Sequence, residues 1–376
     1  MKATRWVGLF LCFALAIPVQ AAEPKSALLM DAATGTVLYE SNAHEALAPA
    51  SVTKVMTLLL IMEAIDSGRI GWEDTVTASE TAAAKGGSQV YLKAGETMTV
   101  SDMVKSITVS SANDCACAMA ELLAGSEGAF VELMNRRAAE LGMNDTHFVN
   151  CTGLDDDPSA REHRTSAHDI AVMSRELLVN HPDIKNFTTI WMDTIRDGAF
   201  GLSNTNKMVR YYPGCTGLKT GFTSGAGYCL SASAQRDGME LIAVVMGAET
   251  SQERFSACKS MLDQGFANYA LYSPNMQDGA SVPVTLGQLD SVAAVPEKIP
   301  QILVARGKLP DVSTEISLSP QADAPIVQGQ HLGTLTVRAG EEILAEVNLI
   351  AETEVPRLTW GQVTGRVLRQ VAMAQS

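Results

Sequence analysis

From Val52 to Ile65 nearly every position is apolar, so a helix over this stretch has no polar face to offer water and must lie inside a domain core. Asp66-Ser67-Gly68 supplies its stop. Just before it stands Ala48-Pro49-Ala50-Ser51, in which proline sets the entry to a first turn whose backbone N–H groups lack partners and whose dipole end is positive. Ser51 thus sits beside ready anion donors. Lys54, three residues on, shares its face. An ammonium is costly to bury in a helix without a polar side, which predicts that Lys54 opens on a polar cleft with a depressed pKa and takes the serine proton. A capping serine followed by a snorkelling lysine has the same spelling, so this pair needs partners elsewhere.

The chain has 376 residues, enough for two domains and a large core. Lys2 and Arg5 precede an apolar run from Trp6 to Ile17, and Pro18-Val19-Gln20-Ala21 follows with small residues at cleavage offsets. Residues 1–21 therefore read as an export signal. Cys12 lies inside the apolar run after Leu11, where a lipid-anchor signal requires a small residue, so that anchor is excluded. Removing the signal takes away two positive charges and no negative ones, moving the formal net charge from −14 to −16. Nucleic acid is excluded as a partner. No other stretch reaches the ~18 uninterrupted apolar residues of a membrane span. Six cysteines remain, Cys115, Cys117, Cys151, Cys215, Cys229 and Cys258; their scattered spacing leaves pairing open, and Cys115 and Cys117 read as small buried thiols of an alanine-rich helix.

Leu28–Asp31 and Thr36–Glu40, joined by a turn at Thr34-Gly35, predict a β-hairpin leading to the Ser51 helix. Residues 66–100 are loop-like with short strands, and the pair Gly86-Gly87 suggests close backbone approach. The span from about Thr99 to Asn180 reads as mostly helical, with starts at Ser101, Asp114, Ala129 and Thr165. The period then changes: Gly227–Ala234, a turn at Arg236-Asp237-Gly238 and Leu241–Met246 form a second hairpin, closed by a helix from Ser251 to Tyr269. Helices inserted between an opening hairpin and late strands imply an α+β domain, with one antiparallel sheet built from both ends of the segment and helices packed around it. Beyond Ser273 short β-like runs punctuated by Pro and Gly predict a small all-β domain. The resulting division is residues 22–272, 273–356 and a tail, 357–376. In that tail Trp360, Val363, Val367, Leu368 and Val371 share one helical face, opposite Arg366 and Arg369, the pattern of a helix lying on a membrane surface.

Two further short motifs join Ser51 and Lys54. Ser111-Ala112-Asn113 presents a hydroxyl and an amide at a loop-to-helix junction, and Lys219-Thr220-Gly221-Phe222 is strand-like just ahead of the second hairpin. Ser-x-x-Lys, Ser-x-Asn and Lys-Thr-Gly in this order match the three boxes of penicillin-binding proteins and class A β-lactamases. With Met30–Gly35, Pro49-Ala50-Ser51, Thr165–Asp169, Asn204–Lys207, Ala226-Gly227-Tyr228 and the β-rich tail, the mature chain resembles the low-molecular-weight serine-type D-alanyl-D-alanine carboxypeptidases of peptidase family S11. The resemblance implies a penicillin-binding-protein-like transpeptidase domain followed by the β domain. It also implies a stem peptide ending in D-Ala-D-Ala as substrate, β-lactams as inhibitors and no cofactor. On this footing Ser51 attacks the carbonyl between the two D-alanines, with Lys54 as base and Lys219 lowering its pKa further. Ser111 relays the proton to the leaving group, and Asn113 holds the acyl-side amide and orients Lys54. Lys219 and Thr220 bind the terminal carboxylate, and the N–H groups of Ser51 and Phe222 form the oxyanion hole beside Gly221.

Two departures mark this chain. Phe222 stands where some members have His, and Thr205 where some relatives use Arg to grip the carboxylate. Among rival readings, a β-lactamase needs a carboxylate to activate water. Glu176-Leu177-Leu178-Val179-Asn180 imitates such an element but lies far beyond Ser111 and continues a helix. A zinc enzyme has only His163, His168 and Asp169, whose spacing fits no familiar ligand pattern. A non-catalytic peptidoglycan-binding or penicillin-sensing protein is opposed by three intact boxes.

Overall fold

Both hairpins form, and they join in one sheet. Ser26–Asp31 (β1) pairs antiparallel with Val37–Ser41 (β2), and on its other side with the last strand of the late group. That group is Cys215–Thr223 (β3), Gly227–Arg236 (β4) and Met239–Ala248 (β5), all antiparallel. The sheet order is β2-β1-β5-β4-β3, which leaves β3 on an edge. A computed structural model describes residues 23–274 and 279–373; the export signal lies outside them.

The continuous apolar run of β5 is explained by burial on both faces. Leu28, Met30, Ile242, Val244 and Met246 pack into the helical layer, while Ala27, Leu29, Leu241, Ala243 and Val245 pack into a second core. Ser251–Asn268 (α6) covers that second core, started by a reciprocal cap between Thr250 and Glu253. The helical layer holds Lys54–Asp66 (α1), Val100–Ser110 (α2), Asn113–Ala124 (α3), Glu127–Glu140 (α4) and Ala167–Asn180 (α5). Leu58, Leu59, Ile61 and Met62 of α1 are all buried, each stabilising the fold by roughly 1.5–3 kcal/mol. Gly68 closes α1 in a left-handed conformation, as its position after Asp66-Ser67 predicts.

Some boundaries move. Thr99, not Ser101, caps α2 by accepting from the Asp102 N–H, and Ser126 caps α4 three residues before the predicted start. More consequential is the entry to α1. Ala50–Thr53 is a 3-10 turn and the α-helix proper begins at Lys54. With three residues per turn, positions 51 and 54 eclipse, so Ser51 and Lys54 are brought closer than an α-helix would bring them.

The later chain folds as a six-stranded sheet in the order Val312–Leu318, His331–Ala339, Glu342–Ala351, Ser291–Pro296, Ser281–Thr285, Ala322–Asp323. It encloses its own core around Val282, Ile326, Leu335 and Leu349. A helix, Trp360–Met373, ends the described chain.

Candidate active site

The site lies where the Ser51 turn meets the free edge of β3. Gly221 permits the approach: a Cβ there would fall 2.7 Å from the Pro49 carbonyl oxygen and 3.0 Å from the Ser51 nitrogen. No larger residue fits the last position of Lys-Thr-Gly.

Lys54 Nζ lies 3.0 Å from Ser51 Oγ and donates to the Thr152 carbonyl at 2.7 Å. The lysine is fully buried. Burial pushes its pKa down from the usual 10.5 to about 7, against the opposing pull of Cys151 and Asp114. The predicted depression is therefore present, with burial as its main cause. Burial, Lys54 and Arg254 hold the Lys219 pKa well below the usual lysine range. Asn113 does not orient Lys54. That role falls to the Thr152 carbonyl, carried on a turn whose Asn150 side chain accepts from the N–H groups of Thr152 and Gly153.

Ser111 ends α2 at φ +64°, a left-handed conformation that costs a serine about 1–3 kcal/mol. Its buried hydroxyl and the Asn113 Oδ1 have no hydrogen-bond partner. Unpaired polar atoms are expensive to bury, so a substrate amide or leaving nitrogen would satisfy them. Asn113 is fixed by its own donors, Nδ2 to the Gly86 carbonyl at 2.8 Å and its backbone N–H to the Ser88 carbonyl at 2.7 Å. The close approach suggested by Gly86-Gly87 is real, since a Cβ on Gly87 would meet Asn113 Nδ2 at 2.8 Å. Asp114 pins the same loop by accepting from the N–H groups of Val90 and Leu92. Behind it, Lys85 Nζ and Glu127 form a 2.5 Å ion pair, and Glu127 also accepts from the Cys151 N–H at 3.3 Å. One carboxylate thus joins the loop that holds Asn113 to the turn that holds Lys54.

On the β3 side Lys219 is buried and donates to the Thr220 carbonyl at 2.8 Å. Arg254, reaching over from α6, donates to the carbonyls of Gly221 at 2.9 Å and Cys229 at 3.2 Å with no carboxylate beside it. Lys219 and Arg254 are buried basic groups with no carboxylate beside them among the described residues, in a chain of net charge −14. Their field suits a carboxylate ligand. Thr220 Oγ1 donates to Thr205 Oγ1 at 2.7 Å, so the residue standing in for Arg is in contact with the third box. Phe222 turns its ring outward, 54% exposed, stacked on Tyr228 at 4.3 Å.

Contacts link Ser51, Lys54, Lys219, Thr220 and Gly221 directly, and Val109, two residues before Ser111, accepts from the N–H of Thr205, the partner of Thr220. Thr152, Arg254 and Glu127 support the site without a sequence signal: Thr152 meets Lys54 through a backbone carbonyl from 98 residues away. A groove of about 860 Å³ lies away from this site, at the opposite sheet edge between β2 and α6, walled by Leu29, Leu38, Tyr39 and Met261.

Glu176, the imitation of a lactamase glutamate, is bound instead to Arg137 at 2.7 Å and to the Asn180 amide at 2.8 Å. His163 and His168 do not form a metal cluster: His163 bonds Thr53 and the Val149 N–H, and His168 bonds Asp169. Among the described residues, Glu63, Glu176 and His181 have metal-like spacing, and Arg137 already neutralises both carboxylates.

Comparison with known proteins agrees with this geometry. Residues 15–250 match the family model for D-alanyl-D-alanine carboxypeptidase, and residues 266–357 that for the penicillin-binding protein 5 C-terminal domain. The D-alanyl-D-alanine carboxypeptidase DacF of Bacillus subtilis is 44% identical over 342 residues, covering 89% of this chain and 86% of that one. Among solved structures, penicillin binding protein 5 from Haemophilus influenzae superposes with TM-score 0.74 at 29% identity, covering 89% of this chain and 98% of its own. Penicillin-binding protein D2 from Listeria monocytogenes, in its ampicillin-bound form, gives TM-score 0.59 at 31% identity, covering 65% of this chain and 97% of its own.

Proposed function

The chain belongs to the D-alanyl-D-alanine carboxypeptidase family, and on that footing we propose how its residues divide the work. It is a serine-type D-Ala-D-Ala carboxypeptidase of the penicillin-binding kind, with peptidoglycan as substrate and β-lactams as ligands. Neutral Lys54 takes the Ser51 proton as Oγ attacks the penultimate D-alanyl carbonyl. The Ser51 and Phe222 N–H groups receive the developing oxyanion. As the C–N bond breaks, the proton passes from Lys54 through Ser111 to the departing D-alanine nitrogen. Water then cleaves the ester, with the same groups serving as base. Asn113 accepts the acyl-side amide N–H, and Lys219 with Thr220 holds the terminal carboxylate. One observation carries this reading: a fully buried lysine with a pKa of about 7 lies 3.0 Å from Ser51 Oγ. The test is release of free D-alanine from a stem pentapeptide by intact protein and by Ser51→Ala.

Nothing in the comparisons supports a β-lactamase, and the site gives a reason for a long-lived penicilloyl ester. Glu176 is tied to Arg137, and a penicillin keeps its leaving amine tethered in the cleft, in the path of an attacking water. Mass spectrometry over time is expected to find the adduct persisting for minutes or longer, equally in Glu176→Gln. Loss within seconds, slowed by Glu176→Gln, would mean a hydrolase of lactams.

Family members act on peptidoglycan outside the cytoplasm, consistent with an exported protein. We assign residues 1–21 to the export signal, 22–272 to catalysis, 273–356 to the β domain and the tail from 357 to membrane-surface attachment. No described helix is long and apolar enough to cross a membrane. An interfacial helix fits the 14 residues Trp360–Met373, with Trp360 88% exposed. Arg366 pairs with Asp290 at 2.9 Å, a contact that favours packing on the β domain instead. Truncation after Pro356 is expected to lower partition onto anionic vesicles by about tenfold or more. Equal partition of the truncated and full mature forms would refute the anchor.

A further inference from the structure

Ala50 holds φ at +48°, a left-handed value that is strained for alanine, and it directly precedes Ser51. Such a residue persists only where its surroundings over-determine it. Here the Ala50 carbonyl is gripped from two sides. Thr53 Oγ1 donates to it at 2.8 Å, while Gly153 packs so closely that a Cβ there would lie 1.8 Å from the oxygen.

The Thr53 hydroxyl is in turn 2.7 Å from His163 Nε2, and His163 Nδ1 accepts from the Val149 N–H at 3.0 Å. A backbone N–H only donates, so Nδ1 is unprotonated and the imidazole proton sits on Nε2. Nε2–H therefore donates to Thr53, and the Thr53 hydroxyl, with its proton free, donates onward to Ala50. The relay has one direction. Thr53 and His163 are both buried, and burial keeps the imidazole neutral with its pKa lowered to about 4.

The Ala50 carbonyl and the Ser51 N–H are opposite edges of one planar trans peptide. Clamping the oxygen toward Thr53 and Gly153 turns the N–H the other way. We propose that His163 is a positioning residue of the oxyanion hole, acting through Thr53 on the Ala50–Ser51 peptide. This rests on the reading of Ser51 as nucleophile with its N–H as an oxyanion donor. Loss of one such donor costs roughly 10²–10³ in kcat, and a misplacement of ~1 Å about 10².

The histidine offers two separable contacts. Gln carries an N–H donor at the reach of Nε2, and Asn carries an acceptor at the reach of Nδ1. In the full mature protein, His163→Asn is expected to lower kcat for D-alanine release and the acylation rate by penicillin by about 10–100-fold with KM unchanged. His163→Gln should retain most of both rates. Thr53→Val should match His163→Asn, Thr53→Ser should restore the rates, and the double change His163→Asn with Thr53→Val should fall no further than either alone. The proposal is overturned if Thr53→Val keeps full rates, if the double change is additive, or if Gln fails where Asn succeeds; this last result would make His163 a support of the Val149 loop only. Ser51→Ala separates the layers: persistent penicillin labelling in it would remove the nucleophile assignment, whereas its absence alongside unaffected His163 and Thr53 variants would remove only the relay.

Discussion

Ser51→Ala is expected to abolish covalent labelling by a fluorescent penicillin and to cut D-alanine release by on the order of 10⁴–10⁶-fold. A lactam carbonyl and a D-alanyl carbonyl meet the same oxygen, so both readouts fall together. The fold should survive. Ser51 Oγ contacts Lys54 at 3.0 Å and contributes nothing to the apolar core, so the change in stability should stay near 1 kcal/mol. Labelling of undiminished intensity in Ser51→Ala would place the nucleophile elsewhere.

For Lys54 the effect is set by protonation. The buried amine has a pKa of about 7 and acts as base only when neutral. The sign follows: kcat/KM should fall about tenfold per pH unit below pH 7 and level off above it. Lys54→Arg, whose guanidinium stays charged, should lose about 10²–10⁴-fold at every pH. Stability carries the same signature. Between about 7 and 10.5 the unfolded chain binds the proton that the folded chain does not, so Lys54 makes stability rise with pH across that window. This contribution is complete above 10.5 and lost as pH falls through about 7. A rate flat from pH 5 to 9 would rule out the amine as base.

The sequence made the fold class, both hairpins, the buried Ser51–Lys54 pair and the Gly221 approach legible for a physical reason. Each is announced locally: an all-apolar helix has one place to go, and Gly221 is the one residue a strand can carry against Ser51. What stayed hidden is what acts at long range. Thr152 works through a backbone carbonyl, which every residue owns, so nothing in its side chain advertises the contact with Lys54. Arg254 sits on a helix whose pattern only says that one face is buried. The depressed pKa of Lys54 follows from burial, which the all-apolar run announces, whereas the Arg254 charge that also bears on Lys219 comes from a distant helix. The start of α1 was misjudged because an α-turn and a 3-10 turn share the Pro-x-Ser spelling and differ in a single hydrogen bond.

The loop whose Gly86 carbonyl holds Asn113 and the turn whose Thr152 carbonyl holds Lys54 both end on the Lys85–Glu127 pair. Two supports that a chemist would count as independent therefore share one joint. Glu127→Ala is therefore expected to slacken the Gly86 and Thr152 carbonyls at once, read as a joint loss of kcat and of acylation rate by penicillin. In a survey of random variants scored only by survival against a wall-damaging stress, Glu127 would sort with the reacting residues. A drug-escape route that loosened one loop to exclude a bulky lactam would, through this joint, loosen the base as well, which narrows the paths by which such an enzyme can evade its inhibitor and still cut its own substrate.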